Sequence, residues 1–392
     1  MRRVPSCVSL LAVLGGAAAF QTPPAAADTT LATVTRPAPI SAHAGRVAWS
    51  ARDPSTGYFV LMTVTGDTPV QRVPVPPRSV PFDMDLGPDA QGETIAAYSR
   101  CHRDPPPRRP QIGNALAQMP EWSAARGCNL HQFNFTTGRE TRIAGANAPD
   151  ASQFLPTVWK TRVAFARVYE RRRGRLGDRA YLYIRGVTGA DASRQVPAGN
   201  RSRLRTCSGR PVRCLYSVEP GPTSLDLAGR RLAFGWDTAD TNGPLSSVYL
   251  DTLGERRTRR QTLSSLGSGE IQAQELIGPT IDAGRVTWAR VLFGDSAENG
   301  LRRYSMFDAA RERAVVPPPG SSPFLQPVLA FTTNGGTQLY LVSGARSAEP
   351  GCTVQSPCLS DPGCTDTAPC ELRLDPGVAF TRYGRASRRS GS

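Results

Sequence analysis

Five short stretches repeat one pattern: Gly45-Arg46-Val47-Ala48-Trp49, Thr94-Ile95-Ala96-Ala97-Tyr98, Arg162-Val163-Ala164-Phe165, Arg231-Leu232-Ala233-Phe234 and Arg285-Val286-Thr287-Trp288. Branched aliphatic and aromatic residues in so short a run suit a pleated, half-buried strand. A sixth copy, Gln338-Leu339-Tyr340-Leu341, is entered through Asn334-Gly335-Gly336, residues that tolerate the positive φ of a hairpin turn. A second alternating strand follows each copy, as in Tyr58-Phe59-Val60-Leu61-Met62 and Ala180-Tyr181-Leu182-Tyr183-Ile184. Several of these lead into a further turn and strand, such as Gly138-Arg139-Glu140-Thr141-Arg142-Ile143.

A unit of roughly 50 residues with about four strands fits a propeller blade better than a sandwich. Taking Val47, Ile95, Val163, Leu232, Val286 and Leu339 as equivalent anchors gives intervals of 48, 68, 69, 54 and 53 residues. The two long intervals hold insertions, residues 100–128 and 199–217. The expected fold is all-β, a β-propeller of about six four-stranded blades over residues 28–381. Two candidates could close the ring: Leu31 to Val34, or Val378 to Thr381. A strand from one terminus that completes the sheet begun by the other leaves no open edge, so Leu31 to Val34 is expected to do so.

The segment Leu86-Gly87-Pro88-Asp89-Ala90-Gln91-Gly92, followed by Thr94-Ile95-Ala96-Ala97-Tyr98-Ser99, resembles the Pro-Asp turn and strand of the TolB-type, WD40-like β-propeller repeat. The resemblance implies a propeller fold over about residues 30–380 and, often, binding work in the envelope or outside the cell. A fold shared by so many activities names none of them.

The first 27 residues read as a signal peptide: Arg2 and Arg3, an apolar stretch from Val8 to Ala19, then Ala25-Ala26-Ala27 before Asp28. That stretch is too short to span a bilayer, so no membrane span is expected after cleavage and a secreted or extracytoplasmic location is. Cleavage would remove Cys7 and leave eight cysteines, an even number that points to disulfides in an exported chain. Spacing favours Cys101–Cys128 and Cys207–Cys214. The tandem Gly-Cys-Thr … Pro-Cys segments suggest Cys352–Cys358 and Cys364–Cys370, or the nested alternative Cys352–Cys370 around Cys358–Cys364. Zinc prefers closer cysteine pairs than these.

The formal net charge is +15, and of the basic residues only Lys160 is a lysine. A phosphate-binding surface ordinarily uses lysine as well, so nucleic acid is not the expected partner. A basic surface still favours anionic partners. Arginines cluster at Arg171, Arg172, Arg173 and Arg175, a possible ligand face, and at Arg256, Arg257, Arg259 and Arg260. Residues 382–392, basic and rich in Ser and Gly, read as a disordered tail.

His43, His102 and His131 show no metal-ligand spacing, and no nucleophile elbow, HExxH, phosphate loop or EF-hand pattern occurs. Asp83, Asp85, Asp89, Asp226 and Asp282 fall on or just after expected inner strands, where they could line the channel. Aspartate also suits tight turns by bonding nearby backbone N–H groups, and that role is preferred. No cofactor is expected. If the repeated strands are the second and third of each blade, residues 100–128, 166–179, 199–217 and 344–369 emerge on one face, and the disulfides with them. The functional expectation is a monomeric, non-enzymatic binding or scaffold propeller for a protein or an anionic cell-envelope polymer. The alternative is an extracellular hydrolase or lyase with its site at the channel mouth.

Overall fold

A computed structural model describes residues 29–35, 39–102, 127–171, 175–186, 194–196, 221–240, 243–253, 258–267, 273–282, 284–293, 302–308, 313–315, 328–334, 338–344 and 370–375. Strand β1 (Thr29–Val34) comes first. Then follow β2 (Ile40–His43), β3 (Arg46–Arg52), β4 (Phe59–Thr65) and β5 (Gln71–Arg72) as one sheet. The second sheet is β6 (Asp85–Pro88), β7 (Thr94–Arg100), β8 (Asn129–Asn134) and β9 (Arg139–Arg142). The third is β10 (Ala151–Trp159), β11 (Arg162–Arg171), β12 (Arg175–Gly186) and β13 (Arg194–Val196). The fourth is β14 (Gly221–Ala228), β15 (Arg231–Asp240), β16 (Gly243–Leu253) and β17 (Thr258–Gly267). The fifth is β18 (Ala273–Asp282), β19 (Arg285–Phe293), β20 (Arg302–Asp308) and β21 (Arg313–Val315). The last comprises β22 (Val328–Asn334), β23 (Gln338–Gly344) and β24 (Cys370–Asp375), with β1 on its outer edge.

Among the described residues the strands therefore form six four-stranded sheets, each an antiparallel meander. The first strand of each sheet touches the first strand of the next: β2 with β6, β6 with β10, β10 with β14, β14 with β18, β18 with β22, and β22 back to β2. A ring of sheets sharing an axis of inner strands is a β-propeller.

The ring holds together because the second strand of a sheet buries both faces, as in β3 and β7. In β3, Val47 and Trp49 pack against Val34 and Leu372 of the last sheet, while Ala48 packs against Phe82, Leu86 and Tyr98 of the second. In β11, Val163 and Phe165 join Ile95, Ala97 and Leu130 of the second sheet, and Ala164 and Ala166 join Leu225 and Phe234 of the fourth. Val47, Val163, Leu232 and Val286 are all buried, and each is paired to the penultimate residue of its sheet's inner strand: Ala42, Val158, Leu227 and Ile281.

The anchor in the second sheet needs correction. Ile95 faces the third sheet, whereas Ala96 and Tyr98 face the first, so Ala96 is the residue equivalent to Val47. The doubled alanine, Ala96-Ala97, hides the one-residue offset from a reading of composition.

β1 closes the ring, as its strand character suggested. Val34 pairs with Cys370, Ala32 with Leu372 and Thr29 with Leu374, with a bulge between Thr30 and Ala32. Val34 and Leu372 are buried against Ile40, Val47 and Trp49 of the first sheet. The rival segment, Val378 to Thr381, lies outside the described residues, as do residues 1–28 and 382–392.

Candidate functional site

The inner strands set one equivalent side chain per sheet beside the axis. Ser41 pairs with Ala48, Asp85 with Ala97, Thr157 with Ala164, Asp226 with Ala233, Thr280 with Thr287 and Thr332 with Tyr340. Each is short and polar, and in four successive junctions its oxygen accepts from a backbone amide of the following sheet. The Leu86 amide donates to Ser41 Oγ at 2.9 Å, Val158 to Asp85 Oδ2 at 3.2 Å, Leu227 to Thr157 Oγ1 at 2.8 Å, and Ile281 to Asp226 Oδ2 at 2.5 Å. These inner-strand amides face the preceding sheet, where no ladder partner is available, and a buried amide without an acceptor would cost about 1–3 kcal/mol. The side chains thus latch sheet to sheet. Ser41 also donates to Asp85 Oδ1 at 2.8 Å. Gly87, one position past Leu86, lies so near β10 that a Cβ would sit 2.1 Å from the Val158 carbonyl oxygen.

Two of the six latch residues are carboxylates, and their surroundings disfavour charge. Burial pushes Asp85 up to about 6, against hydrogen bonds from Ser41 and Thr157 that favour its ionised form. Burial raises Asp226 as well, and the negative charges of Asp85 and Asp282 raise it further. Asp282 and His43 stand two residues beyond the latch on β18 and β2. Burial lowers the His43 pKa and the nearby Asp282 opposes that shift, while the imidazole packs edge-on to Trp159 with centroids 6.2 Å apart. So the structure brings Asp85, Asp226, Asp282 and His43 into one electrostatic neighbourhood. Among the described residues no three His, Cys, Asp or Glu side chains are grouped to hold a metal ion.

Asp83 serves elsewhere. It is buried, pairs with the equally buried Arg78 at 3.4 Å, and accepts from the amides of Ser99 at 2.9 Å and Leu155 at 2.7 Å. Burial raises its pKa and Arg78 opposes the shift. Arg78 also donates to the Ser99 carbonyl at 2.8 Å and to Cys101 Sγ at 3.2 Å, binding the connection between the first two sheets to the base of the 100–128 insertion. Asp89 has the turn role: its Oδ1 accepts from the amides of Gln91 and Glu93, both at 2.9 Å.

Cys101 and Cys128 form a disulfide, joining the ends of β7 and β8 at the root of the insertion. Cys370 opens β24, while Cys207, Cys214, Cys352, Cys358 and Cys364 lie outside the described residues. His131 stacks on Tyr98, and the backbone at His102 bonds to Gly127 beside the disulfide. Arg171 and Arg175 oppose each other in register at the β11–β12 hairpin, Arg172 and Arg173 are outside the described residues, and so are Arg256 and Arg257.

The second-to-third strand connections of a meander all open on one side of the ring. On that side lie the Cys101–Cys128 staple, the exposed Tyr58 just before β4, and the exposed Tyr169 near the end of β11. Tyr169 heads a cluster. Its hydroxyl is 2.8 Å from that of Tyr183, its ring meets Tyr181 edge-on, and the Arg167 guanidinium lies 4.4 Å above the Tyr183 ring. Arg167 donates to the Ala146 carbonyl at 2.8 Å. Burial pushes Tyr183 up to about 12, whereas the hydrogen bond with Tyr183 lowers Tyr169.

No protein-family model matches the chain, and no curated protein matches it by sequence. Its neighbours among solved structures include β-propeller proteins. They include TolB from Acinetobacter baumannii (13% identity, 85% of this chain and 64% of that one, TM-score 0.41). An acylaminoacyl peptidase from Pyrococcus horikoshii aligns at 9% identity over 79% of this chain and 49% of its own, TM-score 0.40. An oligogalacturonate lyase in complex with manganese aligns at 13% identity over 84% of this chain and 77% of its own, TM-score 0.36. The chain spans less than two thirds of the first two of these proteins. Likeness at such identities concerns the fold alone.

The latch serines and threonines were missed by reading composition, yet they leave a signal. Ser41, Thr157, Asp226 and Thr280 each stand seven residues before the small residue of the second strand (Ala48, Ala164, Ala233 and Thr287). Arg167, Tyr169 and Gln153 leave none, because only the pairing of β10 with β11 brings them together.

Proposed function

We propose that the chain is an exported, non-enzymatic propeller that binds an envelope partner, a protein or an anionic polymer, through the face carrying the Cys101–Cys128 staple. In this reading the six sheets are the full set of blades, and the stapled insertions crown one face. The observation that carries it is the placing of Tyr58 (49% exposed) and Tyr169 (37% exposed) on hairpins either side of the stapled sheet. Exposed aromatics beside ordered loops on a rigid scaffold are a usual basis of recognition. A disulfide also suits an oxidising compartment outside the cytoplasm.

The channel supports a second reading, a hydrolase or lyase, because Asp85, Asp226, Asp282 and His43 share one region, in which burial raises the Asp85 and Asp226 carboxyl pKa values. The binding reading is preferred because Asp85 and Asp226 do there what Ser41 and Thr157 do without a charge.

Co-sedimentation of the mature chain with isolated envelope fractions separates the two. A Tyr58→Ala/Tyr169→Ala variant is expected to lose co-sedimentation at least tenfold, and Asp226→Asn to keep it. Loss in Asp226→Asn with retention in the tyrosine variant would move the site to the channel.

A further inference from the structure

The disulfide at the root of the 100–128 insertion has a cation against one of its sulfurs. Arg78 is buried and donates from one guanidinium nitrogen to Cys101 Sγ at 3.2 Å. Its other terminal nitrogen donates to the Ser99 carbonyl at 2.8 Å and meets Asp83 at 3.4 Å. The Asp83 carboxylate also accepts from the Ser99 amide at 2.9 Å, the Ser99 hydroxyl at 2.7 Å and the Leu155 amide at 2.7 Å. A disulfide sulfur is a weak acceptor, whereas a thiolate forms a short, charge-assisted bond. A guanidinium nitrogen held against this sulfur therefore gains most when the disulfide is open. The two sulfurs also differ in reach. Cys128 is fully buried, Cys101 is half-buried, and the next residue, His102, is exposed.

We infer that Cys101–Cys128 is a reducible exchange site for an external dithiol, with Cys101 the sulfur attacked and Arg78 the positioning residue that holds charge at it. This goes beyond the binding reading and does not depend on it. A thiolate of the dithiol attacks Cys101 Sγ and forms a new S–S bond. The Cys101–Cys128 bond breaks, and its electron pair leaves on Cys128 Sγ, which takes up a proton. During that step the negative charge is spread over three sulfurs, with the guanidinium beside the central one. The second thiol then loses its proton and attacks the first sulfur. That closes the disulfide of the dithiol and expels Cys101 as a thiolate held by Arg78. The protein pair has gained two electrons and the dithiol has lost two. A positive neighbour lowers the pKa of a thiol, and a thiol of lower pKa leaves faster. Asp83 opposes the effect, but it meets the other guanidinium nitrogen and shares its charge with three further donors, so the cation in contact with the sulfur prevails.

Equilibration of the full mature chain with mixtures of reduced and oxidised dithiothreitol tests this, followed by alkylation and mass mapping that reads Cys101 and Cys128 apart from the other cysteines. The pair is expected to open while the chain is still folded, as its thermal melt reports. The mixture that half-opens it is expected to be richer in oxidised dithiothreitol, by roughly tenfold or more, than the one required by Arg78→Met/Asp83→Leu, which removes both charges. In the reduced wild-type chain, the rate of Cys101 alkylation by iodoacetamide against pH is expected to bend roughly one unit or more below the ordinary thiol value of about 8.5. A pair that opens only as the chain unfolds, or a Cys101 inflection at or above the ordinary value, would overturn the inference. Both are read on the wild-type chain and so hold even if the double variant does not fold. Equal half-opening mixtures in the two folded chains would overturn it as well, leaving the disulfide a staple alone.

Discussion

Asp226 and Thr157 occupy equivalent places and make equivalent bonds, so the difference between them is the titratable charge. A carboxyl whose folded pKa is raised makes its contribution to stability in full below the unfolded value, near 4, and loses it as pH rises through the folded value. With Asp85 at about 6 and Asp226 raised by the same burial plus the charge of Asp85, that loss falls across pH 4 to 7 and above. Asp226→Asn keeps an acceptor for Ile281 and removes the repulsion. It is expected to stabilise the chain at pH 7.5 by on the order of 1–3 kcal/mol and to flatten the fall in melting temperature between pH 4 and 7. Asp226→Leu, which removes the acceptor, is expected to destabilise at pH 4 by about 1–3 kcal/mol. Thermal melts of the two variants against pH check both outcomes. At this scale the sequence was only partly legible. Asp83, Asp85, Asp226 and Asp282 stood out by type, but Asp83 answers to Arg78 and Asp85 to Ser41, partners that are close only after folding.

Among the elements, the connection from β5 to β6 and the root of the 100–128 insertion depend on one another. Arg78 is buried between Asp83, the Ser99 carbonyl and Cys101. Removing one member of a buried ion pair leaves an uncompensated charge, so Arg78→Ala is expected to cost about 3–5 kcal/mol. Arg78→Met combined with Asp83→Leu is expected to recover part of that, as read from denaturant midpoints. Breaking the staple acts mainly on the unfolded chain. Cys101→Ser with Cys128→Ser is expected to lower stability by about 2–4 kcal/mol, with the denaturation slope as the accompanying control. The second and third strands were legible because short runs of branched and aromatic residues, broken by turn residues, mark strands with little solvent-facing surface. The inner strands were legible only in part, because they carry Ser, Thr and Asp turned to the axis, residues that resemble loops when read in isolation.

For the whole molecule, a ring of sheets gains its final junction only when its last sheet is complete. β1 supplies that sheet's outer strand, pairing Val34 with Cys370 and Ala32 with Leu372, and Val34 also packs on Ile40 and Trp49 of the first sheet. The N-terminal segment therefore holds the two ends of the chain together, and without it β24 becomes an open edge. Burial of Val34 alone is worth about 1.5–3 kcal/mol. Thermal unfolding of the mature chain and of a chain lacking residues 28–36 tests this closure most directly. The truncated chain is expected to melt lower by on the order of 5 °C or more. An unchanged melting temperature would contradict closure of the ring by β1.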